Sequence, residues 1–296
     1  MDPGNAWPEG WMGWSSQVGG LGGGSGGHRV HALMSARAGG ESRGPYASCN
    51  LGAHVGDEPA VVEGNRARLH AGMAGAQPIW LNQVHGNRVV RLTAAHAVTT
   101  PGATARTASG TTPIDADGAL TTEPGVGCMV MVADCLPVLL AAPEGKGVAA
   151  LHAGWRGLSG TGGDMVGQGI VHTGVQALCE ATGVAPQDLQ AWLGPCIGPG
   201  AFEVGADVLM GFGVDPQAAA GHPRFRARAA VPPDEPDATR RRWWADLPGL
   251  ASDLLRHLGV QDVSGGRWCT VSEASRFFSY RREGVCGRQA AGIWLG

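Results

Sequence analysis

The sequence predicts a mixed chain, α/β or α+β in class, with its structured part in one domain. Three observations lead there. Short apolar runs of strand length alternate with longer stretches of helical periodicity. The 296 residues supply material for one large or two modest domains. A content of 43% hydrophobic and 16% charged residues is that of a packed globular chain rather than a disordered one.

Taken in order, residues 1–27 ("MDPGNAWPEGWMGWSSQVGGLGGGSGG") read as a flexible, glycine-rich tail. Its literal GxGxxG match at Gly22, Gly24 and Gly27 has no strand before it and is no dinucleotide fingerprint. Residues 28–296 then form the domain. A helix is expected over 61–72 and a strand over 88–92. The small, polar stretch 96–113 reads as a loop. Apolar runs predict strands over 128–133, 138–142, 148–152 and 190–194. Helical patterns cover 164–182, 205–211 and 247–258. Proline and charge density mark 213–242 as a surface excursion, and "RQAAGIWL" closes the chain as a strand.

Several function classes are excluded at this stage. A net charge of −3 gives no electrostatic case for nucleic acid. No apolar run approaches the roughly 20 residues of a membrane helix. Asp2 and Glu9 precede any basic residue, and no apolar core follows, so no secretory leader is expected. Seven cysteines without a CxxC pair point away from a disulfide framework and toward a reducing cytoplasm. The expected state is a monomer.

The chemistry concentrates at strand ends. "MVMVADCLP" and "VAALHAGWRG" place Cys135 and His152 where an apolar run gives way to turn residues. Pro137 supports a strand boundary there, because proline removes a ladder donor. His85, in "IWLNQVHGNRVV", precedes the turn residues Gly86 and Asn87. If the three converge, two imidazoles and a thiolate make the donor set of a catalytic zinc site with an open position. A Cys–His pair acting as a metal-free nucleophile fits the same residues. Asp134, next to Cys135, reads as structural.

A second concentration is "CTVSEASRFFSYRREGVCGRQAAGIWL", dense in arginine. Guanidinium forks suit phosphate or carboxylate, which selects Arg281, with Ser279 beside it, and Arg156 after "HAGW" as substrate contacts. "GLSGTGGD" lacks the Lys-Ser/Thr of a Walker loop. The HxE…PCxxC signature of zinc deaminases is absent, and no His-x-His pair, the hallmark of a copper cluster, occurs.

Six ordered motifs carry a resemblance: "YASCNLGAHVGDEPAVVEGNR", "NQVHGNRVV", "DADGALTTEPGVGCMVMVADCLPVLL", "ALHAGWRG", "LGPCIGPGAFEVG" and "FFSYRREGVCGRQAAGIWL". They resemble the polyphenol oxidase (laccase)-domain family, also described as purine nucleoside phosphorylases of the YfiH and FAMIN type. The resemblance runs from His28 to the C-terminus. It implies a single catalytic α/β domain of layered mixed sheets flanked by helices, with zinc held by His85, Cys135 and His152. The implied activities are phosphorolysis of adenosine, inosine, guanosine and methylthioadenosine, together with adenosine deamination. Two other functions fit the residues: a Cys135–His152 hydrolase acting on amides of cell-wall precursor peptides, and a non-catalytic purine-binding protein.

Overall fold

The computed structural model describes residues 10–16, 29–96, 114–162, 167–228 and 241–296. Along the chain, β1 (Met12–Ser16) and β2 (Val30–Met34) precede α1 (Pro59–Ala71), followed by β3 (Gln77–Ile79), β4 (Val89–Arg91) and β5 (Gly118–Thr121). Next come β6 (Val126–Val132), β7 (Leu136–Ala141), β8 (Val148–Ala153), α2 (Trp155–Ser159) and α3 (Ile170–Thr182). Then follow β9 (Gln190–Leu193), β10 (Glu203–Val204), α4 (Ala206–Gly211), β11 (Phe225–Ala227) and β12 (Trp243–Ala245). The chain ends with α5 (Leu247–His257), β13 (Asp262–Gly265), α6 (Tyr280–Glu283) and β14 (Gln289–Leu295).

Among the described residues these strands form three sheets, ordered β1-β2-β14-β6-β3, β13-β9-β7-β8-β5-β4 and β10-β12-β11. The two large sheets are mixed: β3/β6, β4/β5 and β9/β13 run parallel and the other pairs antiparallel.

Side-chain alternation explains the layering. On β6, Cys128, Val130 and Val132 point into the space between the large sheets, while Met129 and Met131 join Leu69 of α1 on the outer face. On β8, Val148 and Ala150 face the inter-sheet core, while Ala149, Leu151 and Ala153 pack against Val171, Val175 and Leu178 of α3. Because both faces of these strands are covered, they read in sequence as continuous apolar runs. The expected single α/β domain of layered mixed sheets and helices is what the chain forms.

The internal strands and the helices expected over 61–72 and 247–258 fall where expected, within a few residues, while the helix expected over 164–182 begins only at Ile170. Two other expectations change. Residues 12–16, within the expected tail, pair antiparallel with β2, and the rest of residues 1–27 apart from 10 and 11 lies outside the described residues. Within the expected excursion 213–242, β11 joins the small sheet and Phe225 is buried in the core, because "RFRA" offers a large apolar anchor between its charges. Residues 97–113, 163–166 and 229–240 lie outside the described set.

Candidate metal and substrate site

The antiparallel ladder of β7 and β8 pairs Pro137 with His152. Proline is accommodated because it stands second in the strand, close to its start. Cys135, immediately before β7, packs against the inter-sheet core, and His152 shares the strand parity of Val148 and Ala150. Both side chains therefore open on the same face, where the sandwich ends.

His85 arrives from the other side on the turn before β4. It has φ +62°, in the left-handed region, and the backbone N–H groups of Val84, His85 and Gly86 all donate to the carboxylate of Asp117, at 3.2, 2.9 and 2.7 Å. The ring planes of His85 and His152 meet nearly edge-on, with centroids 4.8 Å apart. The donor atoms of His85, Cys135 and His152 lie within 4.8 Å of one another, and no other group of three or more such residues converges among the described residues.

Asp117 is the functional residue that sequence reasoning missed. Its carboxylate is fully buried and accepts the Nδ1–H of His152 at 2.7 Å. With Nδ1 engaged, Nε2 is left as the ligand atom, the usual outer partnership of a metal-bound histidine. Burial works against ionisation of Asp117, but its bonds to His152, Gly86 and His85 hold its carboxyl below the usual range. Its signal was the "DADG" stretch, which reads in sequence as an ordinary turn.

Electrostatics favour the ligand form of the thiol. Burial opposes a thiolate at Cys135, yet the charge and hydrogen bonds of His152, together with His85, bring its pKa down to about 6. For His152, burial disfavours the imidazolium, while Cys135 and Asp117 raise it to about 9. Once the His152 proton is displaced, as metal binding requires, a thiolate flanked by two imidazoles, one oriented by a carboxylate, fits a borderline-soft ion such as zinc.

The set opens on a cavity of about 570 Å³. Arg156, in the first turn of α2, and Arg281, in α6, both line it. The guanidinium of Arg156 stacks on Trp155 at 4.4 Å. Arg281 donates its backbone N–H to Asp134 and a guanidinium N–H to the carbonyl of Glu203, at 2.6 and 3.0 Å. Ser279 departs from the expectation. It is fully buried, and its hydroxyl accepts the N–H of Arg282 as the N-cap of α6, so it stands apart from the cavity lining. A serine ahead of a charged helical turn is the natural cap.

Asp134 keeps its structural part and gains a place in the wall. At φ +95° it accepts the Thr270 hydroxyl at 2.6 Å and the Arg281 N–H, fixing the α6 arginine beside Cys135. Arg288 and His54, neither selected from sequence, also line the cavity.

Comparison with known proteins identifies the family. Residues 31–296 match the family model described as multi-copper polyphenol oxidoreductase laccase. Purine nucleoside phosphorylase YfiH of Escherichia coli (strain K12) is 41% identical over 268 residues, covering 90% of this chain and 94% of that protein. A Pseudomonas aeruginosa purine nucleoside phosphorylase is 41% identical over 267 residues, with the same coverage. Among solved structures, Neisseria meningitidis protein NMB0706 superposes with a TM-score of 0.71 at 40% identity, covering 90% of this chain and 94% of that one. YlmD of Geobacillus stearothermophilus gives 0.74 at 28% identity, covering 93% and 98%. This chain belongs to the multi-copper polyphenol oxidoreductase laccase family, whose curated members named here are purine nucleoside phosphorylases.

Proposed function

We propose that this protein is a zinc-dependent purine nucleoside phosphorylase with adenosine deaminase as a second activity. The observation that carries the proposal is the convergence of His85, Cys135 and His152 in the lining of a nucleoside-sized cavity that also carries arginines. Relatives at 41% identity bearing the phosphorylase name support it. Seven free cysteines support a reducing, cytoplasmic setting.

In this reading His85, Cys135 and His152 hold the zinc, which when bound supplies a Lewis acid to the cavity. Phosphorolysis joins a phosphate oxygen to C1′ of the ribose and breaks the C1′–N9 bond. The bonding electrons leave with the purine, which takes up a proton. Arg156 and Arg281 are solvent-accessible, permanently charged and placed to hold the phosphate by charge-assisted hydrogen bonds. Ile197, Phe202 and Leu247 offer the purine an apolar wall and exclude water from it. Deamination joins the oxygen of water to C6, breaks the C6–N bond and releases the amino group as ammonia, leaving the 6-oxo purine.

The test is chromatography of adenosine incubated with the purified protein, with and without phosphate. Phosphate-dependent adenine and ribose 1-phosphate are expected, with inosine reporting deamination. Adenosine unchanged under both conditions overturns the proposal.

One observation favours a second reading, the thiol hydrolase. Asp117, His152 and Cys135 form a carboxylate–imidazole–thiolate relay of the kind that activates a nucleophile. That reading gives His85 no part, and it requires turnover of an amide that is blocked by alkylation and indifferent to chelators.

A further inference from the structure

The motif "NLGAHVGD" (50–57) has entered the site so far only through His54 in the cavity lining, yet its whole loop is held by a dense set of hydrogen bonds. Asn50 is fully buried and carries the loop's main fastenings. Its Oδ1 accepts the N–H groups of Gly52 and Arg288, at 2.8 and 2.9 Å. Its Nδ2 donates to Asp57 at 2.9 Å, and its carbonyl accepts from Asn65 at 2.9 Å. The Tyr46 hydroxyl closes the far side on the carbonyl of Val55, at 2.7 Å. Gly52 is required where it stands, since a Cβ there would meet Arg288 Cγ at 2.8 Å.

Of this fixed loop, one side chain, His54, reaches the cavity. The ring is solvent-accessible and has no hydrogen-bond partner among the described residues. Two of the neighbouring lining residues have polar atoms tied to the backbone. Both amide atoms of Gln83 bond the backbone of Met131, at 2.9 and 2.8 Å, and Arg288 Nη1 bonds the carbonyls of Cys286 and Gly287, at 3.0 and 3.1 Å. The lining also has an apolar part, Ile197, Phe202 and Leu247 of the helix-side core, with the Arg281 guanidinium over the Phe202 ring at 5.7 Å. A nucleoside has the same division, a flat ring with large apolar faces and a sugar carrying vicinal hydroxyls.

We infer that His54 reads the ribose, hydrogen-bonding its vicinal hydroxyls while the purine lies against the apolar wall. This rests on the nucleoside reading above. A neutral imidazole carries one donor and one acceptor, matching a hydroxyl, which is both. Desolvation within the cavity, then the positive charges of Arg288 and Arg66, push the His54 pKa below the ordinary histidine range and keep the ring in that form.

The test is calorimetric titration of the metal-loaded, full-length protein, without phosphate, using inosine and 2′,3′-dideoxyinosine. His54→Ala is expected to weaken inosine about tenfold and to leave dideoxyinosine affinity and metal content unchanged. His54→Gln, which keeps a donor and an acceptor, should recover part of the loss. Equal weakening of both ligands, no weakening of either, or no inosine binding by the unmodified protein overturns the inference. The two proposals fail separately. His54-dependent inosine binding without phosphorolysis removes the phosphorylase and keeps the ribose contact, whereas phosphorolysis with binding indifferent to His54 does the reverse.

Discussion

Asp117 Oδ1 accepts the Nδ1–H of His152 at 2.7 Å and, in the same position, the N–H of His85 at 2.9 Å. One buried carboxylate thus sets the tautomer of one candidate ligand and the backbone of another. Asp117→Asn keeps the volume but replaces half of the acceptor set with a donor facing N–H groups. Metal affinity should fall about 10–100-fold, and stability by about 1–3 kcal/mol for donors left unpaired in the interior. Chelator competition and urea unfolding measure the two. A variant matching the unmodified protein in both removes the role given to Asp117.

Cys135→Ala is expected to abolish metal binding and turnover together, checked by metal analysis of the purified variant. Full activity in that variant removes the site assignment.

The depressed thiol pKa gives a sign-definite result in chelator-treated protein. Above about 6 the Cys135 sulfur is a thiolate, and below it the nucleophile is silenced by protonation. Its carbamidomethylation rate should therefore rise through pH about 6, rather than near the ordinary 9, and fall when metal is restored. A midpoint above 8, read by peptide mass spectrometry, contradicts the thiolate described here.

Arg281→Ala and Arg156→Ala should each raise KM for phosphate about tenfold, the equivalent of about 1.4 kcal/mol, with metal content unchanged. The loss should be larger than a neutral hydrogen bond gives, because the contact is charge-assisted. Arg281→Lys should recover only part, since a point charge replaces a planar fork. Initial rates against phosphate concentration decide it, and an unchanged KM in both alanine variants removes the arginines from the anion site.

The glycines of "HAGWRG" are spacing elements. A Cβ on Gly154 would stand 3.2 Å from both Cys135 Sγ and His85 Cδ2, and one on Gly157 would meet the Gly86 carbonyl at 2.7 Å. Gly154→Ala should weaken metal binding by crowding the donors. Gly157→Ala should do so by pushing the His85 turn away, since a backbone oxygen yields less easily than a side chain. Circular dichroism should show both variants folded. Tight metal binding in either contradicts the packing argument.

His85, Cys135 and His152 were legible because each stands at or beside the end of an apolar run, a pattern that survives in one dimension. Their meeting point was not, because it depends on which strands pair. Asp117 was hidden for a related reason: nothing in "DADG" says that this carboxylate is buried or that three N–H groups from residues 84–86 converge on it. Ser279 was misread because hydroxyl chemistry looks alike in a cap and in a substrate contact until burial separates them. Strand β1 escaped because its short segment sits among glycines, and its order comes from pairing with β2 rather than from its own pattern.

The pairing of Pro137 with His152 has a consequence for assembly. Sliding β7 past β8 by one residue would carry one donor about 3.4 Å along the strand and turn it to the opposite face. The donor triangle exists in one alignment of that hairpin and in no neighbouring one. Tight metal capture is therefore a gauge of correct strand alignment, and refolding protein should acquire it in the step that locks the hairpin.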